Sequence, residues 1–241
     1  MPGVDADLEN QGRADQRKVG RDCMTYEKER NEIIETCLKL QKAGYFPGTW
    51  GNVSIRCGDV IIITPSRICY NIMKPEDLTI IDIDGKITEG IHPPSSEKEV
   101  HRQIYQNRED IYAIVHAHTP YAMAASAMEI DAVPCLVEEM SQLLGGSIPV
   151  TQVYVPAKEH ARLGEAAAAA IGNKNGVLLK NHGPVSCGRD IEEAVLTAEI
   201  IEKVCQIYLS VSRPDRFCPI PEPFISSERN RYLYQYGKEN T

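Results

Sequence analysis

The sequence predicts an α/β layered sandwich built on a mixed sheet, and three observations carry that reading. Apolar residues recur at helical spacing after Thr25 and again after Asp190, short β-branched runs such as NVSIR and DVIIIT lie between them, and glycine-bearing turns separate the two kinds of segment. At 241 residues, 42% apolar and 25% charged, the chain is long enough to bury one substantial core, and nothing in it requires a second domain.

The elements follow in order. Residues 1–24 are polar, charged and almost free of large apolar side chains, so they are expected to form a disordered leader before a single folded domain over 25–241. From Thr25 to Lys42 the side chains of Ile33, Ile34, Cys37, Leu38 and Leu40 fall mostly on one helical face, and Gly44 supplies a stop. The loop GTWGN precedes a hairpin whose two strands, NVSIR and DVIIIT, are joined through Cys57, Gly58 and Asp59. Leu78 to Ile83 is a further β-branched run closed by Asp84-Gly85, so the sheet opens with antiparallel pieces. Ser96 followed by Glu99 has the form of a capping box, which starts a helix through Val100, Ile104 and Tyr105 and puts Glu97 in its first turn. Ala113 to His118 reads as a strand, and Thr119-Pro120 as the start of the next helix. An alanine-rich helix over Lys158 to Ile171 stops at Gly172, a short buried strand occupies Val177 to Leu179, and Asp190 with Glu193 caps a long final helix.

Charge and composition exclude several classes of function. A formal net charge of -8 and the lack of a basic stripe argue against a nucleic-acid surface. No apolar run approaches the roughly 18 residues that cross a bilayer, so a soluble protein with no membrane partner is expected. Eight scattered cysteines without a CxxC pair or a signal peptide read as reduced thiols of a cytoplasmic protein.

The chemistry concentrates in three histidines and one glutamate. Side chains repeat every two residues on one face of a strand, so IVHAH aims His116 and His118 at one point. An HxH pair alone is frequent by chance. His182 in LLKNHGP and Glu97 in PPSSEKEVH add a third imidazole and a carboxylate, a nitrogen-rich donor set that zinc favours and that leaves room for substrate. Ser95 and Ser96, at a helix start where N–H groups gather, form a candidate anion cradle. His92, His101 and His160 have no partner spacing and read as surface or supporting residues.

GTWGNVSIR, ITPS, PSSE with a histidine four residues later, VHAHTPYA and LLKNHGPVSCG occur in one order, and that ordered set resembles the class II aldolase/adducin family, most of all its L-fuculose-phosphate aldolase branch, over about residues 25–237. The resemblance implies a three-layer α/β/α sandwich with a mixed, largely antiparallel central sheet and a homotetramer with active sites at subunit interfaces. It implies a Zn2+ enzyme, with another divalent ion such as Mn2+ or Co2+ as the substitute. Carried over position by position, His116, His118 and His182 match the metal ligands, and Glu97 matches the catalytic acid/base that also touches the metal. Gly51, Asn52, Ser66, Arg67, Ser95 and Ser96 match the positions that hold a substrate phosphate. Tyr236 matches a tail tyrosine that closes the site. The branch has a glycine where Arg67 stands, so the guanidinium either adds a phosphate contact or marks a different turn. A second family tyrosine has no clear match in VPCLVEEMSQLLGG. The implied reaction is cleavage of a ketose 1-phosphate, of the L-fuculose or 5-deoxypentulose kind, to dihydroxyacetone phosphate and an aldehyde. The competing readings are a sugar-phosphate 4-epimerase, dehydratase or decarboxylase on the same scaffold, and a non-catalytic interaction domain like the adducin head.

Overall fold

The computed structural model describes residues 24–211 and 217–235, so the expected leader apart from Met24, and Tyr236, lie outside the described residues. The helices are α1 (Glu27–Lys42), α2 (Lys98–Asn107), α3 (Pro120–Ser126), α4 (His160–Ile171), α5 (Ile191–Ser210) and α6 (Glu222–Tyr234). The strands are β1 (Asn52–Cys57), β2 (Val60–Ile63), β3 (Thr79–Asp82), β4 (Ile87–Glu89), β5 (Ala113–His116), β6 (Ala132–Val133), β7 (Ile148–Pro149), β8 (Gly176–Leu179) and β9 (Gly183–Gly188).

Seven strands form one sheet in the order β4-β3-β2-β1-β5-β9-β8, and every ladder in it is antiparallel. The parallel pairing that makes the pattern mixed is a single bridge, Val150 to Leu178, which lays the chain after β7 along β8. Strand alternation sorts the side chains into two cores. Val53, Ile62, Ile80 and Val115 face α1 and α5, where they meet Ile33, Cys37, Leu40 and Ala198. Ile61, Ile63, Ile81 and Ile114 face the other way, onto Val100, Ile104 and Tyr105 of α2 and Leu163 and Ala167 of α4. The result is the α/β/α sandwich, with helices on both faces. A third cluster joins α3, the far half of α5 and Ile225 of α6 around Met140, Leu144 and Leu178. Each such aliphatic side chain, fully buried, contributes roughly 1.5–3 kcal/mol.

The turns match the expected chemistry. Gly58 and Asp59 close the β1–β2 hairpin, with Gly58 at φ 60°, and Gly85 turns after β3 at φ 89°. The Asp190 carboxylate accepts the Glu193 N–H at 2.7 Å and caps α5. Two caps differ from expectation. The Ser96–Glu99 box is not made: α2 starts at Lys98 with Glu97 at its cap position, the Ser95 hydroxyl accepts the Glu97 N–H at 3.2 Å, and Glu99 pairs with Arg102. At α3 the Thr119 hydroxyl is buried without a partner, and the Glu202 carboxylate of α5 accepts the Tyr121 and Ala122 N–H groups instead. The seven described cysteines are all free thiols, and Cys37, Cys135, Cys187 and Cys205 are buried as small apolar side chains.

Candidate active site

Strand β5 ends at His116, which lies opposite Asn52 of β1 on one side and Val185 of β9 on the other. His118 follows two residues later, just beyond the strand. His182 comes from the apex of the β8–β9 hairpin, Lys180-Asn181-His182, where Asn181 takes the left-handed conformation at φ 55° that asparagine tolerates. Gly183 lets this apex lie against the end of β5, because a Cβ there would stand 2.5 Å from the Ala117 carbonyl oxygen. The Lys180 N–H donates to the Thr151 hydroxyl at 2.8 Å and the Asn181 N–H to the Ser126 carbonyl at 3.1 Å, which pins the apex. Glu97 reaches the same point from the cap position of α2.

These four residues form a candidate metal centre. The Nε2 atoms of His116 and His118 are 3.1 Å apart, Glu97 Oε2 is 3.3 Å from His116 Nε2, and Glu97 Oε1 is 3.0 Å from His182 Nε2. Nitrogen ligands about 2.05 Å from a tetrahedral zinc ion stand roughly 3.3 Å from one another, so the spacing suits a small divalent cation. His116 Nδ1 donates to the Pro184 carbonyl at 2.9 Å, which holds the ring in the tautomer whose Nε2 lone pair faces the cluster. Burial, reinforced by the neighbouring His116 and His182, pushes His118 down to about 3, and burial likewise lowers His116. Neutral imidazoles are the form that binds metal. Burial alone would raise the Glu97 carboxyl, but His116, His182 and the Asn52 amide outweigh it and hold the group well below the usual carboxylate range.

The cluster opens into a cleft of about 730 Å³. All six residues named for phosphate line it: Gly51, Asn52, Ser66, Arg67, Ser95 and Ser96, together with Glu97, His118 and His182. His116 sits behind them and is 1% exposed. Gly51 stands at φ 110° over the Phe46 ring, which would meet a Cβ at 2.4 Å, and Tyr70 donates to its carbonyl at 2.6 Å. Arg67 is exposed and left-handed at φ 65°, a conformation that glycine adopts without strain. The Ser66 hydroxyl donates to the Pro94 carbonyl at 2.9 Å. Trp50, Met123, Tyr154 and Ala157 give the cleft an apolar wall, and Trp50 meets the His118 ring edge-on at 5.4 Å. In the segment where the second tyrosine is missing, Glu139 pairs with Lys203 at 2.6 Å, and neither Glu138 nor Glu139 lines the cleft.

Sequence reasoning left His101 as a surface or supporting residue, and the structure makes it the latter, behind Asn52 rather than in the cleft. It is fully buried, with Nε2 2.5 Å from Asn52 Oδ1 and Nδ1 2.6 Å from the Ser54 hydroxyl. Asn52 in turn donates through Nδ2 to Glu97 Oε2 at 2.8 Å. A signal for this existed: His101 lies four residues after Glu97, on the same face of a helix.

Known proteins resemble this chain in sequence and in fold. The profile of the class II aldolase and adducin N-terminal domain matches residues 31–209. The L-fuculose phosphate aldolase of Methanococcus maripaludis is 37% identical over 73% of this chain and 93% of its own. The 5-deoxy-D-ribulose 1-phosphate aldolase of Bacillus thuringiensis serovar kurstaki is 36% identical over 77% of this chain and 86% of its own. Among solved structures, an L-fuculose 1-phosphate aldolase superposes with a TM-score of 0.81 at 28% identity, covering 88% of this chain and 99% of that one.

Proposed function

Because the chain belongs to the class II aldolase and adducin family, we propose that it is a divalent-metal-dependent lyase that cleaves a ketose 1-phosphate to dihydroxyacetone phosphate and an aldehyde. The substrate is of the L-fuculose 1-phosphate or 5-deoxypentulose 1-phosphate kind. The observation that carries the reading is the convergence of three imidazole nitrogens and one carboxylate, within 4.8 Å of one another, at the wall of a cleft lined by glycine, serine and arginine.

His116, His118, His182 and Glu97 would hold the metal, for which zinc is the ion that best suits three nitrogens and one oxygen. When bound, such an ion supplies Lewis acidity against the negative charge that builds up as the bond between C3 and C4 breaks. Gly51, Asn52, Ser66, Arg67, Ser95 and Ser96 hold the phosphate and fix where C3 lies relative to Glu97. Glu97 is anionic at rest, the state needed to remove a proton from C3 in the condensation direction, and in cleavage the same carboxyl returns it. The active form is a cytoplasmic homotetramer whose clefts are completed by neighbouring subunits.

The test is dihydroxyacetone phosphate release from a panel of ketose 1-phosphates and ribulose 5-phosphate, with and without chelator, on protein of assayed metal content. Chelator-sensitive release is the expected result. Metal-loaded protein that releases none would move the assignment to the epimerase, dehydratase or decarboxylase relatives.

A further inference from the structure

We infer that His101 is a positioning residue, acting through Asn52 to hold Glu97 in its working orientation. The inference rests on the proposed aldolase reading for its kinetic consequence and on the geometry alone for its structural one.

The polarity of each hydrogen bond follows from the one before it. A carboxylate accepts hydrogen bonds and cannot donate them, so the Asn52 group 2.8 Å from Glu97 Oε2 is the NH2 end of the amide. The carbonyl end, Oδ1, therefore faces His101 Nε2 at 2.5 Å and must accept from it. His101 then carries its proton on Nε2, and its bare Nδ1 must accept from the Ser54 hydroxyl at 2.6 Å. Ser54 has thereby used its proton, so it accepts from the Tyr105 hydroxyl at 2.9 Å. One assignment of hydrogens satisfies the run from Ser54 to the carboxylate, and the Tyr105 hydroxyl, which also lies 3.2 Å from the Ser54 carbonyl, closes its inner end. A reversed amide would set Oδ1 against Glu97 and NH2 against an Nε2–H.

The placement of the groups makes this more than packing. Ser54 and Asn52 are alternate residues of β1, so both face α2, where His101 and Tyr105 are one turn apart. All four are buried, at 0–3% exposure, so water offers no substitute donor. Asn52 is also the strand neighbour of His116. Its amide can turn about a soft terminal torsion, and His101 is the group that forbids the turn. Glu97 has no other side-chain donor among the described residues besides the imidazoles it faces. Without the lock the Asn52 amide no longer fixes Oε2, and the carboxylate is free to turn about its own terminal torsion.

The experiment compares His101→Leu, which removes the donor, with His101→Gln, whose amide can donate to Asn52 and accept from Ser54. With metal content matched to the unaltered protein, His101→Leu should lower kcat about 10–100-fold while KM, which Asn52 touches through the phosphate site, rises less than about fivefold, and His101→Gln should recover kcat to within about fivefold. Equal losses in both variants, or a change in KM as large as the change in kcat, would overturn the inference. Should His101→Leu fail to fold, Ser54→Ala takes its place, with kcat down about threefold to tenfold expected and an unchanged kcat fatal. Independently of any activity, a spectrum of 15N-histidine-labelled, metal-loaded protein should show His101 protonated on Nε2 and bare on Nδ1. The opposite tautomer or a doubly protonated ring would overturn the inference and leave the aldolase reading intact. Failure of the unaltered protein to release dihydroxyacetone phosphate would sink the aldolase reading while the tautomer is still decided.

Discussion

Replacing Arg67 with glycine separates the contribution of its charge from that of its backbone. At φ 65° a side-chain-bearing residue sits in the left-handed region, which costs roughly 1–2 kcal/mol. Glycine removes that cost but returns about 0.5–1 kcal/mol through its greater freedom in the unfolded chain. The substitution should therefore be neutral or stabilising, by at most about 1.5 kcal/mol. The guanidinium reaches a cleft where a phosphate dianion is proposed to bind, and a hydrogen bond to a charged group is worth about 1.5–3 kcal/mol when shielded. Arg67 is exposed, so solvent screening reduces this to about 1 kcal/mol. That corresponds to about a fivefold rise in KM at low salt, with kcat little changed. Steady-state release of dihydroxyacetone phosphate at low and at molar ionic strength, alongside a thermal melt, reads both quantities. The gap between the two proteins should shrink in high salt as the screening length falls to about 3 Å. An unaltered KM would place Arg67 on an ordinary surface, and a lowered melting temperature would refute the account of its backbone.

Glu97→Gln should retain metal at the three imidazoles but slow exchange of the dihydroxyacetone phosphate C3 proton with solvent by about 100-fold or more; unchanged exchange by NMR removes Glu97 from proton transfer. His116→Ala should lose stoichiometric metal, read by elemental analysis after dialysis, and a variant that keeps both metal and activity would discard the ligand set. For chelator-treated protein, stability should fall as pH drops from about 6.5 toward 4. The folded His101 and His118 are held at about 3 while the unfolded chain protonates at the ordinary value, so the unfolded state binds the extra protons. The sign is a loss of stability on acidification, about 1.4 kcal/mol per pH unit for the fully buried His101 alone. Urea midpoints that stay flat across that window would contradict the burial of these rings.

What could be read in advance was what depends on neighbours in sequence. The β1–β2 hairpin is encoded by two β-branched runs and the Cys57-Gly58-Asp59 turn. The cap of α5 is encoded by Asp190 three residues before Glu193, and the metal ligands by HxH spacing with two further motifs. The misses involve partners far along the chain. Ser96–Glu99 has the spacing of a capping box, yet Arg102 takes the Glu99 carboxylate and Ser95 serves the helix start. Thr119 looks like a cap because nothing local reveals that Glu202, 80 residues after Ala122, occupies the position. His101 reads as unremarkable for the same reason, since Asn52 and Ser54 lie 49 and 47 residues away and meet it only when β1 slides under α2. The left-handed backbone at Arg67 is not legible in the sequence, because arginine has no preference for positive φ.

The two borders of the sheet differ in a way that bears on handling the protein at high concentration. β2 (Val60–Ile63) is an unbroken β-branched apolar run and β3 carries Ile80-Ile81 at its centre, the kind of segment that polymerises when another chain can dock alongside it. Both are interior strands, however. The border beside them is β4, three exposed residues long and joined to β3 through a register shift between Ile80 and Ile81, too short and too irregular to template a second molecule. At the opposite border β8 is covered by the chain after β7, through the Val150–Leu178 bridge and the Thr151 N–H donated to the Leu178 carbonyl at 2.9 Å. Self-association through the sheet is thus blocked at both ends while the molecule stays folded, and fibre formation would have to wait for β4 to peel away and bare β3.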